Sequence, residues 1–314
     1  MRVIVLFAVT NPDYDYQFTR KTMIPTFTIQ QFNRRFPTNE ACLEDLFQRL
    51  HKDATCAACG QKDKYYLQKG TAHYVCSCGG SQISPKNGTI FHKSETDLVK
   101  WYYAIFIMSQ SRNGVAALEL QRHIGVKHYQ TALRMTRMIR SMMDENASTL
   151  FGDVEADETV VGGKRKGKRG RGAEGKTIVF GAIQRKGKMN TAIIPDVKAA
   201  TLLPHFQSSI AKGTRMMTDE MNSYQKITKL LDLKHDTVSH SKGEYAKGDV
   251  HTNTIEGFWS QLKRSIDGTH HGVSPKHLAS YVSEYAWKWN HKQDGRHFFD
   301  LLLERVSLPP KPAY

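Results

Sequence analysis

Three acidic residues define the chemistry this chain could perform. Asp157 lies within the strand-like stretch 154–161, Asp219 ends the run Arg215-Met216-Met217-Thr218, and Glu256 follows after 36 intervening residues. A carboxylate in the middle of a strand, among apolar neighbours, is costly unless something positive sits beside it. Carboxylates that converge also repel one another, and divalent cations relieve that repulsion. Hard oxygen donors favour Mg²⁺ or Mn²⁺ over zinc. Two such ions about 4 Å apart would clamp the attacking and leaving oxygens of a phosphodiester and lower the pKa of a bound water. The chemistry expected is in-line phosphoryl transfer, with water or a 3′-hydroxyl as nucleophile.

The segment 251–264 must carry the third acid. Ile255, Trp259, Leu262 and Ile266 recur at i, i+4, i+7 and i+11, which makes one apolar helical stripe. Glu256, Ser260 and Lys263 form the stripe beside it, so the acid and the lysine project from one side, two turns apart. Such a lysine could reach a phosphate near the metal. Taken alone, the segment reads first as an ordinary amphipathic helix with a solvated Glu and Lys, and the rest of the chain turns it toward the site.

The elements before it supply the other acids. Strands are expected over 154–161, 177–183 and 191–194, then a helix over 199–210, a strand ending at Asp219, a helix over 223–231 and a short strand over 237–239. Three strands, then alternating helices and strands, imply a mixed α/β sheet with helices on its faces. Glu155 and Thr159 share the face of Asp157 by the two-residue strand period. The three acids can converge if the strands of Asp157 and Asp219 are neighbours.

Between the first two strands runs a glycine-rich loop carrying Lys164, Arg165, Lys166, Lys168, Arg169 and Arg171. It reads either as a generic cationic loop or, beside a phosphodiester-cleaving site, as a grip on DNA backbone phosphate without base specificity. Over the whole chain of 314 residues the formal charge is +15, and its clustering points to a polyanionic partner.

Upstream, Cys56-Ala57-Ala58-Cys59-Gly60 and Cys76-Ser77-Cys78-Gly79 pair four of the five cysteines across 16 intervening residues. A glycine after each pair allows the tight turns of a zinc ribbon, in which Cys56, Cys59, Cys76 and Cys78 would hold one structural Zn²⁺. Four unligated thiols in so short a window would be an odd coincidence. Strands are expected over 64–68 and 72–75, and a helix capped by Thr38 or Asn39 precedes them.

Residues 95 to 145 read as three helices, the last two joined by Ile124-Gly125-Val126-Lys127, which suggests a helix-turn-helix. On the third helix Arg134, Arg137 and Arg140 form a basic strip, either for DNA or merely solvated in a small bundle. No run is long enough to span a membrane, and the protein is expected in the cytoplasm, associated with the nucleoid.

With these pieces in place, a resemblance becomes specific. The order of modules and the phrases Asp157-Glu158-Thr159-x-x-Gly162-Gly163-Lys164, Thr218-Asp219-Glu220, His240-Ser241-x-Gly243-Glu244-Tyr245 and His251-x-Asn253-Thr254-Ile255-Glu256-Gly257-Phe258-Trp259-Ser260 resemble bacterial insertion-sequence transposases related to the Merlin superfamily. The similarity runs from about Phe36 to Leu303. It implies an N-terminal zinc ribbon, a ribonuclease-H-like DDE catalytic domain, and Asp157 and Asp219 as the first two metal ligands. Members of that group differ in having Asn or Glu as the third; Glu256 is favoured because Lys263 stands seven residues on, with Asn253 orienting the metal or the scissile phosphate. Lys263 and Arg264 then face DNA.

The expected organisation is a leader over 1–35 outside the core, a helix and zinc ribbon over 36–92, a helix-turn-helix-like segment over 93–148 and the catalytic domain over 149–314. Its expected activity is cleavage of element ends and joining of 3′-hydroxyls to target DNA by a homo-oligomer. The alternatives are a zinc-ribbon DNA-binding regulator with a dead acidic site, and a metal-dependent nuclease without strand transfer.

Overall fold

Thr28 and Gln31 form a reciprocal capping box that starts a helix at the first described turns of the chain. The computed structural model describes residues 27–145, 147–162, 176–239 and 246–307. The basic loop residues Lys164 to Arg171 and the motif from His240 to Tyr245 lie outside these residues.

Helix α1 (Ile29–Arg35) is followed by α2 (Asn39–His51), whose cap Thr38 accepts the amide of Ala41 at 3.2 Å. A three-stranded antiparallel sheet follows, β1 (Tyr65–Leu67), β2 (Tyr74–Cys76) and β3 (Gln82–Ile83). Tyr74 stacks on Phe47 of α2 with centroids 3.9 Å apart, which fastens this small sheet to the helix. Helices α3 (Leu98–Gln110), α4 (Ala117–Ile124) and α5 (Tyr129–Ser141) come next. Gly125 ends α4 with φ near 62°, the left-handed conformation a helix stop favours, so the expected glycine turn is observed.

All five helices share one core, in which Phe32, Phe36, Trp101, Tyr102 and Met135 are buried. Two expectations are corrected here. The stretch 27–35 is not a leader outside the core, because Phe27 and Phe32 pack against Phe106 and Phe299. The catalytic domain expected over 149–314 does not keep its end to itself either, because Phe299, Leu302 and Leu303 fill this N-terminal core.

The second body is a five-stranded sheet built from β4 (Asp153–Gly162), β5 (Lys176–Gln184), β6 (Met189–Ile194), β7 (Arg215–Asp219) and β8 (Lys234–Val238). Its order is β6-β5-β4-β7-β8. The first three strands run antiparallel, and β7 and β8 join parallel to β4. This order and polarity make a ribonuclease-H-like sheet, the mixed α/β class expected from the sequence.

Helices α6 (Ala199–Ser209) and α7 (Asn222–Leu230) connect the parallel strands and cover one face, where Ala156, Phe180, Phe206 and Tyr224 are buried. A short hairpin, β9 (Ala246–Lys247) and β10 (Val250–His251), leads into α8 (Asn253–Gly268). With α9 (Pro275–His291), α8 covers the other face through Ile255, Trp259, Leu262 and Val282. Helix α10 (Phe298–Leu303) returns to the N-terminal unit. Among the described residues, no helix is long and apolar enough to cross a membrane.

Candidate active site

The pairing of β4 with β7 positions the first two acids. These strands are parallel, with the register running from Asp153 opposite Arg215 to Glu155 opposite Met217; Asp157 and Asp219 each lie two residues beyond that last pair, near enough for the charge of Asp219 to act on Asp157. Glu155 and Asp157 point to the α8 side, whereas Val154 and Ala156 point into the core under α6 and α7. The adjacency on which convergence depended is therefore present.

Burial above all, with the charges of Glu158 and Asp219, pushes the Asp157 carboxyl up to about 7 against the opposing hydrogen bonds from the Glu158 backbone and Trp259. An acid that keeps its proton near neutrality beside a second carboxylate fits a site for a divalent cation, because the cation would replace that proton and relieve the repulsion. Asp219 Oδ1 also accepts the amide of Met221 at 3.0 Å, which fixes the turn into α7.

Helix α8 approaches through Trp259, whose indole N–H donates to Asp157 Oδ2 at 3.1 Å. Gly181, the β5 residue paired with Asp157, makes room for that indole. A Cβ at Gly181 would lie 2.7 Å from two carbons of the Trp259 ring and 3.2 Å from Ile255 Cδ1. A glycine inside a strand is a signal of close approach, and here the approaching group is the helix itself.

Glu256 and Asn253 both lie exposed in the first turn of α8, three residues apart on neighbouring lines of the helix. Thr252 Oγ1 donates to Glu256 Oε1 at 2.8 Å. Lys263 and Arg264 are exposed two turns on, as their stripe requires.

Two features of this site escaped the sequence reading. Glu155 is fully buried and accepts from the start of α8 and from Arg185. On the opposite face, Tyr224 of α7 donates to Glu158 Oε2 at 2.7 Å, so the two adjacent acids of β4 serve different layers. Only the alternation of the strand could have announced either partner.

The four cysteines do converge. The Sγ atoms of Cys56, Cys59, Cys76 and Cys78 all lie within 4.8 Å of one another, with Cys56–Cys78 at 3.6 Å and Cys59–Cys76 at 3.8 Å. A tetrahedral Zn²⁺ with Zn–S bonds near 2.3 Å requires sulfur separations of about 3.8 Å. Gly60 and Gly79 take φ values of 71° and 73° at the two knuckles, the conformations expected of the glycines after each pair. The amide of Cys59 leads in lowering the Cys56 thiol to about 6, which favours the thiolate a metal needs. The donor set and its spacing are compatible with one zinc ion.

The basic strip of α5 divides. Arg134 and Arg137 are exposed, and Arg137 Nη2 lies 3.2 Å from His277 Nε2. Arg140 is 1% exposed, so its expected DNA-facing role is corrected. Its Nε donates to Glu284 of α9 at 2.8 Å, its Nη2 to the Val115 carbonyl at 3.2 Å, and its guanidinium lies 4.0 Å from the Tyr281 ring centroid. Lys288 adds a second cation at 2.7 Å from Glu284. Burial raises the Glu284 pKa, but Lys288 and Arg140 outweigh it and hold the carboxyl at about 2. The 3.6-residue period turns Arg140 60° away from Arg137, enough to carry it from solvent into the seam between α5 and α9.

The strand order defines a ribonuclease-H-like domain, with Asp157 in the middle of β4 and Asp219 at the end of its parallel neighbour β7. Residues 149–290 match the family model described as the ISXO2-like transposase domain. Among curated proteins, an uncharacterized protein in transposable element ISH50 of Halobacterium salinarum is 27% identical over 261 residues, which cover 76% of this chain and 85% of the relative. An uncharacterized transposase-like protein of Haemophilus influenzae is 28% identical over 108 residues, 34% of this chain and 85% of the relative. Of solved structures, a pre-cleavage Mos1 transpososome is similar with a TM-score of 0.25 and 12% identity over 67% of this chain and 79% of that chain, too faint a likeness to inform the geometry. Over residues 149–290 the chain is thus similar to the transposase domain of insertion elements, the kind of protein its motifs resemble.

Proposed function

We propose that this protein is a DNA transposase that cleaves the ends of its element and joins the freed 3′-hydroxyls to target DNA. The observation that carries this reading is the placement of Asp157 and Asp219 on the neighbouring parallel strands β4 and β7, inside a segment matching a transposase family model. Asp157 and Asp219 would hold divalent cations, Mg²⁺ or Mn²⁺, with Glu256 as third ligand and Asn253 orienting the metal or the phosphate. When bound, two such ions supply Lewis-acid stabilisation of the attacking and leaving oxygens.

The chain's own groups do the rest. Trp259 holds Oδ2 of Asp157 and so fixes how its carboxylate is presented to the site. Lys263 and Arg264 lie exposed beyond Glu256 on α8, where they would meet the phosphate backbone. Arg134 and Arg137 on α5 would grip element-end DNA from the helix-turn-helix-like segment over 93–148, and the basic loop around Lys166 would hold backbone near the cut. Cys56, Cys59, Cys76 and Cys78 would hold a structural Zn²⁺ in the ribbon, within the unit over 36–92. Holding two element ends at once calls for a homo-oligomer, and work on DNA places the protein in the cytoplasm at the nucleoid.

The test is to incubate purified protein with a labelled element end, a target plasmid and Mg²⁺, beside Asp157→Ala. Joined product that vanishes in the variant supports transposition. Cleavage without joining indicates a nuclease, and DNA binding with no metal-dependent cleavage indicates a regulator. For the third ligand, Glu256→Gln should abolish cleavage and Asn253→Ala should only slow it; the reverse would assign that role to Asn253.

A further inference from the structure

We propose that Glu155 is a positioning residue: from strand β4 it caps helix α8 and so sets where the third acid stands relative to Asp157. This rests on the reading of Asp157, Asp219 and α8 as the catalytic constellation.

Helix α8 opens in an unusual way. Thr252 is the N-cap, yet its side chain makes no capping bond. The amides of the second and third helical residues, Thr254 and Ile255, instead donate to Glu155 Oε2 at 2.8 and 3.0 Å. Those two amides are the ones an N-cap side chain normally satisfies. The Thr254 hydroxyl donates to Glu155 Oε1 at 2.8 Å. A carboxylate on a neighbouring strand thus replaces the local cap, and it carries the negative charge that the helix dipole favours there.

The capping carboxylate is itself held. Glu155 is 0% exposed, and Arg185 Nε donates to Oε1 at 2.8 Å. Arg185 also donates through Nη1 to the Asp249 carbonyl at 2.7 Å and through Nη2 to the His251 carbonyl at 2.9 Å. One guanidinium therefore ties Glu155 to the hairpin that feeds α8. His251 Nδ1 completes the surroundings at 3.3 Å from Oε1. A carboxylate has about four lone-pair sites. Four donors, the amide and hydroxyl of Thr254, the amide of Ile255 and Arg185 Nε, already claim those of Glu155, which leaves it a fastener of the helix and not a metal ligand.

The spacing explains why this fixes the site. Glu155 and Asp157 are two residues apart on one strand, about 6.7 Å. Their contacts on α8, Thr254–Ile255 and Trp259, are four to five residues apart, about 6 to 7.5 Å along the helix axis. The two carboxylates and the helix thus match like two pins in two holes. A slip of α8 by one residue would turn Glu256 by about 100° and move it by about 1.5 Å, and an error near 1 Å at a reacting centre can cost 100-fold in rate.

The experiment compares wild type with Glu155→Gln and Glu155→Ala, each checked for a cooperative melt. Amide hydrogen exchange at Thr254 and Ile255 should accelerate at least 30-fold in Glu155→Ala, with the amides of β5 unchanged. In single-turnover end cleavage with Mg²⁺, both variants should lose about 100-fold in rate while their affinity for the same DNA stays within threefold. Unchanged exchange at 254–255, or a cleavage rate within threefold of wild type, overturns the proposal. If the wild type itself cleaves nothing, the transposase reading fails, and the exchange measurement still decides whether Glu155 caps α8. Should neither variant fold, Thr254→Val removes only the hydroxyl donor. It should lower the cleavage rate five- to tenfold at constant DNA affinity, and an unchanged rate overturns the proposal.

Discussion

The indole N–H of Trp259 donates to Asp157 Oδ2 across 3.1 Å, tying the helix of the third acid directly to the first. A hydrogen bond to a carboxylate is worth about 1.5 to 3 kcal/mol. Trp259→Phe keeps most of the apolar packing over Gly181 and removes the donor. We expect end cleavage to slow about 10- to 100-fold with DNA affinity unchanged, as measured by single-turnover kinetics beside a binding titration.

Asp157 makes the metal-free protein sensitive to alkali. Its folded pKa, about 7, lies above that of the unfolded chain, so the folded state holds a proton that the unfolded state has released. This contribution is neutral below about pH 4, turns increasingly destabilising between there and pH 7, and levels off above, at up to about 4 kcal/mol. Asp157→Asn should therefore raise the melting temperature of metal-free protein at pH 8 and change little at pH 4. In wild type, divalent-cation affinity should climb as pH rises through 7, because binding must expel that proton.

We expect the ribbon to depend on a zinc ion. Purified protein should carry one zinc per chain, and Cys76→Ser should carry none. Tyr74 stacks on Phe47, so loss of the ion also loosens α2. A cost of about 3 kcal/mol or more is expected in denaturant unfolding of the N-terminal unit.

Arg137 and Arg140 should separate binding from folding. Arg140→Ala leaves Glu284 with one buried cation in place of two and should cost about 3 to 5 kcal/mol of stability. Arg137→Ala should leave the melt unchanged within about 0.5 kcal/mol, weaken DNA binding and lower the salt slope by about 1. Equal effects of the two on DNA binding alone would contradict the burial of Arg140.

The sequence made the apolar and acidic pattern of the candidate site readable because β4, β7 and α8 each follow their period cleanly. The four cysteines were legible for the same local reason. Other features depend on tertiary partners that no period reveals. Arg140 continues the spacing of Arg134 and Arg137, and only the presence of Glu284, 144 residues on, draws it inside. Strand β8 was expected over 237–239 but spans Lys234–Val238, because an edge strand carries polar residues that mask its period. Glu155 looked like a companion of Asp157 on one face; that it caps a helix about 100 residues away follows only from the fold.

We expect Asp157 and Asp219, carried on the neighbouring parallel strands β4 and β7, to build one cation site. Mn²⁺ binding followed by electron paramagnetic resonance tests it most directly, with wild type beside Asp157→Asn and Asp219→Asn. Each single variant should lose the same high-affinity Mn²⁺ that wild type binds. Retention of that binding in either variant, with the protein folded, would contradict the claim.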